Sequence, residues 1–435
     1  MKHWHKIFLM VLLAGANFLR AQWEQQPFPT AEILYKVRFV NQNTGWILGE
    51  AGVYKTADAG TTWMKQNVST RFGNLLLALN ENVVFYSGSI NIGANRAATG
   101  LRRTSNGGST WQTVDSSYFH YFDAAFVNER VGYVTASDVS FHPAILKTTD
   151  GGKTWQTIAN NFRPANFELT GITFVDEQRG WVVSYDAIIF HTRDAGITWT
   201  LQDSIRVTPT SFTPLRDIQF ITADSGWAVG GLSGYQLLVR TTTGGRQWVV
   251  TRQTGCSLRE VQFLNNWSGW TVGATLAPPL IFQTTDGGSR WAAQALQPPQ
   301  DRNFSIESLF MLDQNLGWAV GSQGRVYKMN ATVTVTTNTN SAPAQFHLAQ
   351  NLPNPFHSMT RVNYEIAATG PVRLTVHDIL GREVALLVWG MKTPGNYSAF
   401  WEGRGQHNAL LPNGIYFYRL QAGALMLTRK LVLLR

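Results

Sequence analysis

Thr284-Thr285-Asp286-Gly287-Gly288-Ser289-Arg290-Trp291 sets the architecture of this chain, because near-copies of it recur along most of its length. The others are Thr56 to Trp63, Thr104 to Trp111, Thr148 to Trp155, Thr192 to Trp199 and Thr241 to Trp248. Their tryptophans stand at 63, 111, 155, 199, 248 and 291, and steps of 43 to 49 residues match the spacing of four-stranded propeller blades. The composition of the box describes a turn. An Asp accepts hydrogen bonds from backbone N–H groups two residues on, a Gly takes the positive φ, and the Trp opens the next strand and fills the space between sheets. Asn106 replaces the Asp in the second copy and Thr243 in the fifth. One carboxylate per box, with no bidentate Glu closing it, falls short of the roughly six to eight oxygens that calcium takes, so the box reads as scaffold.

Each repeat has a common grammar, clearest in Leu215 to Phe220, Gly226 to Gly230, Leu237 to Arg240 and Trp248 to Val250: short β-rich runs separated by turn signals. The second strand opens on Gly45-Trp46, Gly132-Tyr133, Gly180-Trp181, Gly269-Trp270 and Gly317-Trp318, whereas the second repeat has Val83-Val84-Phe85-Tyr86 there. The last repeat stops after Arg325-Val326-Tyr327-Lys328 without a fourth strand, and Gln22 to Gln26 resembles the strand that follows a box. The expectation is an all-β chain: a seven-bladed β-propeller over residues 22–330, its N-terminal strand closing the last blade, followed by a small Ig-like β-sandwich.

The pattern Gly-Trp-x-x-Gly followed by Thr-x-Asp-Gly-Gly-x-Thr-Trp resembles the propellers of the photosystem II assembly and stability factor family and, more distantly, the Asp-box (BNR) repeats of sialidases. The resemblance covers about residues 22 to 330 and implies the fold; unrelated activities occupy such scaffolds.

Lys2 and Lys6, the apolar run from Ile7 to Ala14 and the small residues after it read as a signal peptide over residues 1–21, cleaved after Ala16 or Ala21. Residues 331–350 are rich in Thr, Asn, Ser and Ala, as linkers are. From 351 to 435 the alternation and the turns at Leu380-Gly381 and Asn413-Gly414 describe the sandwich. Asn351-Leu352-Pro353-Asn354-Pro355-Phe356, Asp378-Ile379-Leu380-Gly381-Arg382-Glu383-Val384, Pro412 to Leu420 and Lys430 near the end closely resemble the type A C-terminal sorting domain of the type IX secretion system of the Bacteroidetes. That resemblance implies passage through the periplasm, the type IX machinery as a partner, tail removal, and then release or attachment to surface lipopolysaccharide.

The net charge of +9 belongs mostly to the ends: residues 1–21 carry +3 and residues 341–435 carry +5, leaving +1 for the repeats. A nearly neutral propeller argues against nucleic acid as a partner. Cys256 is the only cysteine, so no intramolecular disulfide forms. No cofactor or metal motif is present, and the chain is expected to be monomeric.

Strand alternation puts the boxes and the Gly-Trp turns on one rim, and the inter-blade connections with the loops between second and third strands on the other. The second rim carries the candidate binding residues Tyr118, His120, Tyr121, Phe162, Arg163, Phe167, Phe212 and Arg302. The competing expectation is that several of these aromatics open innermost strands and pack inward. The rim acids Glu50, Asp138 and Asp186 lack any surrounding motif, and a sialidase-like hydrolase would need an Arg cluster and converging carboxylates. The sequence therefore favours a secreted or cell-surface module that binds a protein or glycan; the alternative is a secreted Asp-box glycoside hydrolase.

Overall fold

The computed structural model describes residues 22–434 except 72, 92–96, 161, 163–167, 206–212, 233–234, 255, 276–280, 298–303, 331–345, 352–353, 357–358, 406–409 and 424. The chain divides into two compact units, Met1–Thr332 and Val333–Arg435.

The first unit is a β-propeller. Its described residues form seven sheets, whose innermost strands are Leu34–Phe39, Leu76–Ala78, His120–Phe126, Leu169–Phe174, Leu215–Phe220, Cys256–Phe263 and Ile306–Met311. The first innermost strand packs against the seventh, so the ring closes. In the seventh sheet, Gln22–Gln26 lies antiparallel to Val326–Asn330 and supplies the strand that the last repeat lacks. Ala295–Gln297 then adds on the outside, parallel to it. Neighbouring sheets are held by stacked rings. The second-strand aromatic of one sheet lies flat on the Phe that ends the next innermost strand: Trp318 on Phe39 at 3.4 Å between centroids, Tyr133 on Phe174 at 3.8 Å, Trp181 on Phe220 at 3.7 Å and Trp227 on Phe263 at 3.7 Å. The Phe also explains the Gly before the second-strand aromatic, since a Cβ on Gly226 would meet the Phe220 ring at 2.5 Å; before Trp318, Gly317 faces Met311 instead.

Every described box repeats one hydrogen-bond pattern. In the third box the buried Thr148 hydroxyl accepts the Gly152 N–H at 2.9 Å and donates to Asp150 at 2.8 Å. Asp150 in turn accepts the N–H of Thr154, four residues ahead and not two as expected from the sequence. Asn106 and Thr243 accept the equivalent N–H at 2.9 and 3.0 Å. Two successive residues take positive φ, and Ala59 (62°) and Ala195 (60°) hold the first of these positions without being glycine. The box then ties to the turn between first and second strands through Ala59 N–H to Asn43 O and Gly151 N–H to Arg130 O, both 2.9 Å. Boxes and Gly-Trp turns thus share a rim.

The second unit contains two antiparallel sheets of three and four strands around a core that includes Phe356, Trp401 and Tyr418. The Asn-Pro motif at its start is stitched to the final strand: Asn354 accepts the Val432 N–H at 2.8 Å, and the Phe356 N–H bonds Val432 O at 3.0 Å.

Candidate functional site

A channel of about 370 Å³ runs between the innermost strands, lined in part by Arg38, Asp123, Asp217, Gln219 and Glu260. The charges reach it through a repeated irregularity. In six sheets the pairing between first and second strands slips by one residue, at Leu34/Lys36, Tyr121/Ala124, Leu169/Gly171, Leu215/Asp217, Leu258/Glu260 and Ile306/Ser308. Such a bulge leaves one residue extra and re-aims its neighbours. The residue after the extra one is Lys36, Asp123, Gly171, Asp217, Glu260 and Ser308.

Four of these side chains bind backbone N–H groups of another sheet's innermost strand. Asp123 accepts from Ile172 at 2.9 Å, Asp217 from Val261 at 2.8 Å, Glu260 from Leu309 at 2.8 Å and Ser308 from Val37 at 3.2 Å. Glu260 also takes Arg38 Nη2 at 2.7 Å and Lys36 Nζ at 3.2 Å. Burial alone would raise the Glu260 carboxyl, but the Arg38 and Lys36 cations hold it down to about 2. Burial, together with the Glu260 and Asp123 charges, pushes Asp217 up to about 7. Asp123 is raised by burial, against the pull of Lys36.

The extra residues themselves are Tyr35, Phe122, Thr170, Arg216, Arg259 and Glu307, each near the start of an innermost strand and so toward the rim opposite the boxes. Arg259 Nε pairs with Glu307 at 3.3 Å. Arg216 lies over the Tyr185 ring at 5.4 Å, and its pKa is lowered by burial and by Arg259. Beside them Phe119, His120, Phe122 and Phe141 form a partly exposed aromatic group, with His120 4.7 Å from Phe119 and 6.0 Å from Phe141.

Two of the rim expectations are corrected. Tyr121 is 0% exposed and its hydroxyl bonds Asp115; Phe162 is 3% exposed and packs edge-on against Phe190. Both open the inter-sheet core, which consumes an aromatic that follows a loop. Tyr118 and His120 are half-buried, and the Tyr118 hydroxyl lies 3.0 Å from Thr157 Oγ1. Arg163, Phe167, Phe212 and Arg302 lie outside the described residues. Asp138 closes its own loop by accepting from Ser140 and His142, and Asp186 accepts from Ser184, so these acids serve local turns; Glu50 is exposed. Sequence reasoning missed Lys36, Arg38, Asp123, Asp217 and Glu260. A signal was there: a polar residue three before the strand-ending Phe in Asp123 to Phe126, Asp217 to Phe220 and Glu260 to Phe263. Among the described residues no group of three or more His, Cys, Asp or Glu is arranged to hold a metal ion, and no helix is long and apolar enough to cross a membrane.

The fold is that of a β-propeller. The family model for photosynthesis system II assembly factor YCF48 matches residues 16–118 and 103–209, less than half the chain. Similar solved structures include YCF48 bound to a D1 peptide, 16% identical with a TM-score of 0.53 over 72% of this chain and 96% of that one. YCF48 from Cyanidioschyzon merolae is also 16% identical, with a TM-score of 0.53 over 71% and 98%. A GH74 xyloglucanase from Xanthomonas campestris is 12% identical, with a TM-score of 0.56 over 94% of this chain and 67% of that one. At these identities the likeness is one of fold. No curated protein sequence matches.

Proposed function

We propose that this chain is an exported, non-catalytic propeller that binds a protein segment or a glycan at the channel mouth opposite the boxes. The observation that carries this reading is the division of labour at the bulges. Tyr35, Phe122, Arg216 and Arg259, with Tyr185 beside them, put aromatic and guanidinium groups at the mouth, while Asp123, Asp217 and Glu260 below are committed to backbone N–H groups. Tyr118 and His120 extend the same face, and the proposal keeps Arg163, Phe167, Phe212 and Arg302, which lie outside the described residues, as candidate contacts. YCF48, a protein of similar fold, has been solved with a D1 peptide bound, and peptide capture is the corresponding activity here. The test is a screen of surface proteins and glycans against the full chain, Arg216→Ala and Arg259→Ala: the ligand should bind the first and be lost from the other two, and unchanged binding by both variants rejects the site.

The ends make the export route part of the proposal: a signal peptide to the periplasm, then the type IX machinery reading residues 351–435, with release or lipopolysaccharide attachment after tail removal. Mass spectrometry of the cell-surface and secreted fractions should find a new N-terminus after Ala16 or Ala21 and no peptides beyond the 331–350 linker. A full-length tail on the exported protein contradicts it.

A second reading, glycoside hydrolysis, has one observation in its favour. Asp217 at about 7 beside Glu260 at about 2 is the split that acid–base pairs show. Both carboxylates, however, are tied to backbone N–H groups by hydrogen bonds of 2.8 Å, which occupies lone pairs that a general base would need. Sugar release that vanishes in Glu260→Gln would establish the enzyme.

A further inference from the structure

The contact between the fourth and fifth sheets on the box rim departs from its equivalents. In the first, second, third and fifth sheets a long cation on the third strand, paired in register with the second-strand aromatic, reaches to the next box; in the sixth the paired residue is Gln283. Lys55 Nζ bonds Gly107 O at 2.7 Å, Arg103 Nε bonds Gly151 O at 3.0 Å, Lys147 Nζ bonds Ala195 O at 3.1 Å and Arg240 Nη1 bonds Ser289 Oγ at 2.8 Å. In the fourth sheet that position, opposite Trp181, is His191. A histidine is too short to span the gap. Its ring lies on Trp181 instead, 4.6 Å between centroids and 25° from parallel.

What the missing cation leaves is a cavity of about 520 Å³ whose lining includes Trp181, His191, Thr243, the three arginines Arg179, Arg193 and Arg246, and the two carboxylates Asp176 and Asp224. His191 is only 6% exposed and its Nε2 has no hydrogen-bond partner; the Trp181 Nε1 is likewise unpartnered, as are those of Trp46 and Trp270. An unsatisfied buried donor is costly and calls for an explanation. The adjoining box is also the one with Thr243 where the others have Asp or Asn, so a carboxylate is missing where cations collect. Asp176 is engaged by Arg179 at 2.6 Å, which leaves Arg193 and Arg246 facing it from two neighbouring boxes.

We propose that this cavity binds a tetrahedral oxyanion, the sulfate or phosphate group of a ligand. Its donors come from separate directions, Arg193 and Arg246 from two boxes and His191 from the buried wall, while Arg179, paired with Asp176, lies on the turn between first and second strands. That arrangement suits an anion presenting oxygens on several sides better than a planar carboxylate. Thr243 in place of Asp removes one carboxylate from a lining that already holds Asp176, paired with Arg179, and Asp224. Burial and the charges of Arg193 and Arg179 hold His191 down to about 4, so near neutral pH it is a neutral donor; a bound anion favours its charged form and moves its titration upward. The site is on the rim opposite the channel mouth and does not depend on what binds there.

The experiment titrates the full chain with sodium sulfate and with inorganic phosphate, against chloride and acetate at matched ionic strength. Calorimetry reads binding and NMR reads the His191 ring. Saturable binding of sulfate, phosphate or both is expected, with acetate at least about tenfold weaker and the His191 pKa raised by the bound anion. Arg246→Ala and His191→Phe should each weaken binding by about tenfold or more. Thr243→Asp, which restores the residue of the other boxes, should abolish binding with the melting temperature unchanged. No saturation beyond chloride, acetate binding as tight as sulfate, or sulfate binding undiminished in Thr243→Asp would each overturn the proposal.

Discussion

Replacing Glu260 by Ala removes the central tie of the channel. Glu260 is 4% exposed. One carboxylate oxygen receives Arg38 at 2.7 Å and Lys36 at 3.2 Å, and the other receives the Leu309 N–H at 2.8 Å. Truncation leaves the enclosed Arg38 guanidinium without a counter-charge and the Leu309 N–H without an acceptor. Breaking a buried pair from one side costs about 3–5 kcal/mol, of which the orphaned N–H accounts for about 1–3 kcal/mol. Arg38→Met combined with Glu260→Met leaves no unpaired guanidinium, although the Leu309 N–H, Lys36 and the Val37 carbonyl each lose a partner, so the double variant should be less destabilised than the sum of Arg38→Met and Glu260→Met, with a non-additivity of about 2 kcal/mol. Urea unfolding followed by tryptophan fluorescence at constant slope measures both. Because the Glu260 pKa is lowered from 4.5 to about 2, its contribution is present above about pH 4.5 and is lost as the pH falls through 2. The Glu260→Ala deficit should therefore shrink over that window. A deficit below about 1 kcal/mol at pH 7, the value of an exposed pair, or strict additivity with Arg38→Met, would refute the account of the channel as a stitched charge network.

Asp217 titrates the other way. Its pKa is raised from 3.8 to about 7, so its contribution is fully present below pH 3.8 and is lost as the pH rises through 7. The loss is at most about 4 kcal/mol and is reduced by water in the channel; Asp217→Ser should flatten this dependence in unfolding curves collected between these limits. Thr148→Val keeps the shape of a buried side chain but strips the Gly152 N–H of its acceptor, and should cost about 1–3 kcal/mol in urea unfolding. Gly226→Ala drives a methyl into the Phe220 ring and should cost about 1–3 kcal/mol, with near-UV dichroism reporting the displaced Trp181–Phe220 stack.

The propeller was legible because its signals are local. The Asp, the Gly pair and the Trp of a box lie within eight residues, and the structure assigns each a hydrogen bond, a positive φ or a packed ring. The incomplete last repeat pointed in the same way to the pairing of Gln22–Gln26 with Val326–Asn330. The channel was not legible, since its charges meet only after the ring closes: Glu260 and Arg38 are brought to 2.7 Å from opposite ends of the repeat region. Tyr121 and Phe162 were misjudged because an aromatic beside a loop serves equally as a rim contact or as the first core residue, and a one-dimensional pattern does not say which side faces water. The bulge is equally hidden, because one extra residue in a six-residue strand leaves the alternation readable as either face.

The most direct test of the central claim is the binding screen on the full chain with released reducing sugar assayed in the same wells. The account predicts a protein or glycan ligand that is retained without sugar release, lost in Arg216→Ala and Arg259→Ala, and still bound by Asp217→Ser. Sugar release that disappears with Glu260→Gln and persists without Arg216 and Arg259 would contradict it.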